Sequence, residues 1–104
     1  MIFQINTDHN LTVSPEYKEK IEGMVEGEID RFMEHITRIE IHLSDQNADK
    51  ETGADKRCNI EARFKGKPPI AVSEDSETYD LAISGAASKL KTILETLIGK
   101  AKTY

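Results

Sequence analysis

A single cysteine, Cys58, stands among 104 residues, so no disulfide can close within the chain, which agrees with a reducing compartment. Long apolar runs are missing as well. Nothing approaches the roughly 18 consecutive apolar residues that a membrane-spanning helix needs, so a membrane is not expected as a partner. The N-terminal MIFQINTDHN has no basic segment followed by a long apolar stretch, which argues against a secretory signal and for a cytoplasmic protein. Catalytic groupings are equally scarce. No glycine-rich loop could cradle a phosphate, and no Ser, His and acid combination offers a nucleophile with its base; Ser73, Ser76, Ser84 and Ser88 suit turns, caps and small helix positions. His9, His35, His42 and Cys58 show no ligand spacing, and Cys58 reads as a small buried apolar side chain. Asp45, Asn47 and Asp49 begin like a calcium loop, but Lys50 replaces the glycine of the sharp turn and Lys56 the bidentate glutamate. These absences predict a protein that is not an enzyme, with no cofactor, no metal and no small-molecule substrate.

What is present is a hairpin. Ile39, Ile41 and Leu43 alternate with Arg38, Glu40 and His42; after a polar loop, Cys58, Ile60, Ala62 and Phe64 alternate with Arg57, Asn59, Glu61 and Arg63. Period-2 alternation gives two strands with one apolar and one charged face, and a one-residue slip would expose every apolar side chain, so the register is fixed. Arg38, His42, Arg57 and Arg63 are expected to point outward, with His42 and Cys58 on opposite faces. Lys56, Lys65 and Lys67 fall at the hairpin ends.

Around this hairpin the remaining elements follow. Residues 1–6 alternate as a short first strand. Ser14–Pro15 is a helix start, a hydroxyl cap before a proline whose missing N–H costs nothing, and the apolar spacing from Tyr17 to Met33 predicts a helix to about Glu34. Its other face carries Glu16, Glu19, Glu22, Glu26 and Asp30. Strands over 36–44 and 56–65 flank the loop DQNADKETGADK, a turn is expected at 66–69, and Ile70 and Val72 form a short edge strand beside two prolines. From about Ser76 an apolar stripe including Ile83, Leu90, Leu94 and Ile98 predicts a final helix of about 40 Å. The 104 residues, with no internal repeat or linker, form one domain. The fold class is α+β, order β-α-β-β-β-α, a four-stranded mixed sheet with two helices packed on one face.

Net charge is −5, yet it is unevenly spread: residues 1–55 hold 13 acids and 5 bases, residues 56–104 hold 6 acids and 9 bases. Because salt screens charges beyond roughly 8–10 Å, a basic patch can act on one side of an acidic molecule. The basic set is Arg38, Arg57 and Arg63 on the outer sheet face, Lys65 and Lys67 at the hairpin end, and Lys89, Lys91, Lys100 and Lys102 on the last helix. Glu40 and Glu61 lie among the arginines and could pair with them.

The runs ITRIEIHLSDQN, DKRCNIEARFKGKPPIAV and YDLAISGAASKLKTILETLIGKAK, in this order over nearly the whole chain, resemble the ribosome hibernation promoting factors, also called ribosome-associated translation inhibitors or sigma-54 modulation proteins. The resemblance implies a stress or stationary-phase protein that lodges on the small ribosomal subunit, holds rRNA phosphates and silences translation sterically. The positions it assigns to rRNA are Arg57 and Arg63, expected to contribute most, with Lys89, Lys91, Lys100 and Lys102. Thr92, Glu95 and Thr96 stand where family members commonly carry bases, which lowers the expected affinity. The chain ends at Tyr104 without the extension that pairs ribosomes in longer members, so such pairing is not expected. A different class of function, a protein adaptor using the acidic first helix or an exposed sheet edge, fits the charge as well. The oligomeric state stays open between monomer and weak dimer.

Overall fold

In the computed structural model, residues 2–8, 11–45 and 55–99 are described. The elements are β1 (Ile2–Thr7), α1 (Pro15–Ile29), a 3-10 segment (Asp30–His35), β2 (Ile36–Asp45), β3 (Lys56–Phe64), β4 (Lys67–Ser76), α2 (Tyr79–Leu94) and a π-helical turn (Glu95–Gly99). The sheet order is β1-β2-β3-β4, with β1 parallel to β2 and the other pairs antiparallel. This is the expected α+β topology, with α1 as the crossover between the parallel strands.

Apolar alternation drives the layering. Ile39, Ile41 and Leu43 on β2 and Cys58 and Ile60 on β3 are fully buried on the inner face. They meet Ile21, Val25 and Ile29 of α1, spaced four apart, and Ile83, Leu90 and Leu94 of α2. Full burial of each such side chain contributes roughly 1.5–3 kcal/mol. Ala82, Ala86 and Ala87 are also buried, small residues that let α2 sit close against β3 and β4.

Three boundaries differ from the sequence expectation, each for a local reason. The first helix stops at Ile29 rather than near Glu34, because a 3-10 segment follows. Its three-residue turn stacks Phe32 directly beyond Ile29 and keeps both buried. The last helix starts at Tyr79, since Ser76 is still paired with Lys56 and Thr78 caps instead, its hydroxyl accepting from Leu81 N–H at 3.1 Å. At its other end the α-helix gives way to the π-helical turn after Leu94. The fourth strand is ten residues long, not short; Pro68 and Pro69 lie within it, tolerated because β4 is an edge. The turn before it is the dipeptide Lys65-Gly66, with Gly66 at φ 78°, a conformation open to glycine. The predicted loop falls largely on residues 46–54, which lie outside the described residues, as do Asn47, Asp49 and Lys50 of the calcium comparison.

Candidate nucleic-acid interface

The outer sheet face is built in rows by the strand register. Arg38 lies directly opposite Arg63, and in the next row Glu40 lies opposite Glu61. Like charges facing each other across strands repel, and the side chains relieve this by pairing along and between the strands. Arg38 Nε donates to Glu40 Oε2 at 2.8 Å, Arg63 donates to Glu61 Oε1 at 3.2 Å, and Arg63 also lies 3.5 Å from Glu40. The following row is polar, Asn6, His42, Asn59 and Ser73, with His42 Nε2 3.1 Å from Asp8 Oδ1. Beyond it Arg57 forks onto Asp75 of β4 through bonds of 2.7 and 3.1 Å. That fork holds the Asp75 carboxyl below its ordinary range and raises the Arg57 guanidinium further.

All three arginines predicted for this face therefore point outward, and all three have carboxylate partners. The face is separated from the acids of α1, as expected, but it supplies its own: Glu40, Glu61 and Asp75. Arg57 and Arg63, expected to contribute most, thus each stand beside a carboxylate. Glu40 and Glu61 were visible in the sequence as neighbours. Asp75 was not, because its position opposite Arg57 depends on β4 running past its prolines for ten residues.

The helix lysines divide between two partners. Lys91 lies 3.9 Å from Glu28 of α1. Lys89 turns to the sheet instead, 2.6 Å from Glu74 and donating to the Ser73 carbonyl at 2.8 Å. Gly85 makes this possible: a Cβ there would stand 2.6 Å from Glu74 Cγ, so only a residue without one lets Glu74 lie along α2. Lys56, at the far end of the hairpin, is held by Asp45 and Asp55, each at 3.1 Å. Lys65 and Lys67 differ from all of these. They are exposed at the β3–β4 turn and have no ion pair among the described residues. Lys100 and Lys102 lie outside the described residues.

The remaining titratable groups serve the scaffold. Tyr17 donates to Asp80 Oδ1 at 2.5 Å and Lys20 reaches Asp80 Oδ2 at 2.7 Å, tying the start of α1 to the start of α2. Burial and the Asp80 bond push the Tyr17 hydroxyl up, while Lys20 and Tyr17 pull the Asp80 carboxyl down. Burial alone pushes the Cys58 thiol up to about 12, leaving it protonated and inert. Among the described residues no group of three or more His, Cys, Asp or Glu is placed to hold a metal, and no helix is long and apolar enough to cross a membrane.

Comparison with known proteins sets this arrangement in context. The structure superposes on the Protein Y N-terminal domain of Thermus thermophilus with a TM-score of 0.72 at 20% identity, covering 92% of this chain and 98% of that one. It also matches a ribosomal subunit interface protein from Coxiella burnetii, with a TM-score of 0.70 at 20% identity over 98% of this chain and 100% of that one. At this identity the likeness establishes a shared fold. No curated protein matches the sequence. Residues 4–102 match the profile described as sigma 54 modulation protein / S30EA ribosomal protein, and with nearly the full length aligned the chain belongs to that family of ribosome-associated factors.

Proposed function

We propose that this protein is a non-enzymatic factor that binds the rRNA of the small ribosomal subunit and silences translation by occupying it, acting in the cytoplasm under stress. The observation that carries this reading is the family match over residues 4–102. The charge geometry supplies a mechanism. Lys65 and Lys67, with no carboxylate partner among the described residues, make the first phosphate contacts. Arg63, half exposed beside that turn, follows by trading Glu61 for phosphate. Arg38, Arg57, Lys89 and Lys91, like Arg63, must each give up an existing pair and leave a carboxylate facing the RNA, so they contribute less than the turn lysines; Lys100 and Lys102 extend the set in sequence. Binding of this kind places no demand on a nucleophile or a cofactor.

Sedimentation with small subunits at low and at moderate salt tests the reading. Co-migration at low salt that weakens steeply as salt rises is the expected result, because each phosphate contact releases counterions. A chain that stays in the supernatant under both conditions contradicts it.

A further inference from the structure

A groove of about 410 Å³ lies where the β3–β4 turn meets the end of α2. Phe64 and Ile70 line it from the sheet, Leu97 and Ile98 from the π-helical turn, and Pro68 and Pro69 from the start of β4. Leu97 is 54% exposed, a large apolar side chain left facing water beside a concave surface. Lys67 also lines this groove and Lys65 sits in the adjoining turn, both without an ion pair among the described residues.

Apolar surfaces flanked by uncompensated ammonium groups match the two halves of a nucleotide. A base offers flat apolar faces that can lie between proline rings and Leu97 while its edges stay at the mouth in water, and its phosphates meet Lys65 and Lys67. The groove lies at the end of the sheet on the helix side, where Phe64 and Ile70 pack against the core, and the described outer face offers a base no such surface, since its outward residues include no Phe, Tyr or Trp. Phosphate contacts alone read nothing of the bases. We infer that the groove takes one unstacked nucleotide of the rRNA, so that the protein selects an unpaired segment rather than a duplex. This rests on the rRNA reading above and adds to it a second, non-electrostatic contact.

The test separates stacking from charge. Leu97→Ser removes apolar surface at an exposed position without altering charge, and affinity for small subunits is measured across salt concentrations. The expected result is binding weakened about fivefold or more, from the apolar side chain that the base would cover, with an unchanged salt slope. In parallel, a photo-crosslinking residue, p-benzoylphenylalanine, replaces Leu97 and the adduct is mapped on the small subunit; an unpaired rRNA nucleotide is expected. Unchanged affinity in Leu97→Ser overturns the inference, as does an adduct to a ribosomal protein, to a base-paired nucleotide or to residues 100–104 of the chain itself. Failure of the unaltered chain to bind small subunits at all is a different outcome, which overturns the rRNA reading and this inference with it.

Discussion

At one end of the β3–β4 hairpin Arg57 donates two bonds to Asp75; at the other, Lys65 and Lys67 form no ion pair among the described residues. Both ends are formally basic, and only one has charge to spare. The contrast teaches that the phosphate-binding capacity of a surface follows from cross-strand register, which decides who stands opposite whom, more than from a count of bases. A paired arginine is not lost to RNA, but its contribution is the difference between two similar bonds, whereas an unpaired lysine contributes its whole contact.

The most severe way to break the contrast is to loosen the hairpin that holds both ends. Ile60 is fully buried at the middle of β3, so Ile60→Ala should cost about 2–5 kcal/mol in chemical denaturation and erase the difference between the ends along with the fold. A smaller change sharpens it. Asp75→Asn leaves Arg57 a neutral neighbour in place of a carboxylate and should tighten binding to small subunits several-fold, while changing stability by no more than about 1 kcal/mol because the pair is surface-exposed. Weaker or unchanged binding in this variant would mean that Arg57 does not face the RNA.

Gly85→Ala acts at a distance on Lys89. The new methyl group would stand within 2.8 Å of Glu74 atoms, so Glu74 must swing away and release Lys89. The gain of about 1 kcal/mol from replacing a helix glycine opposes the lost pair, and denaturation should show a net change within about 1 kcal/mol, with somewhat tighter subunit binding. The smallest effect is in titration. The Asp75 pKa is depressed in the folded state, so its pair adds stability above the ordinary carboxylate range and loses it as pH falls through the folded pKa. An NMR titration should place the Asp75 midpoint below the ordinary aspartate range, and Arg57→Gln should move it upward.

Much of the fold was legible because its signals are local. The alternation through Ile39, Ile41 and Leu43 and the Ser14–Pro15 cap need only neighbouring residues, and they gave the sheet, its faces and the helix start. The misjudged boundaries depended on tertiary pairing: β4 holds two prolines because it is an edge, and Ser76 is strand because Lys56 lies opposite it. The candidate site was legible in membership and illegible in availability. Alternation puts Arg38, Arg57 and Arg63 outward, but whether each is free depends on Glu40, Glu61 and Asp75, and the last of these meets Arg57 only through a register that the sequence does not announce. The groove by Leu97 was missed for the same reason, since it joins residues of β3, β4 and the chain segment after α2.

The salt dependence of small-subunit affinity addresses the central contrast most directly. Relative to the unaltered chain, Lys65→Gln with Lys67→Gln should lower the slope of log affinity against log salt by about 2, the signature of two lost phosphate contacts, and Arg57→Gln with Arg38→Gln should lower it by less than about 1. The reverse order, with the paired arginines carrying the slope and the turn lysines leaving it untouched, would contradict the account.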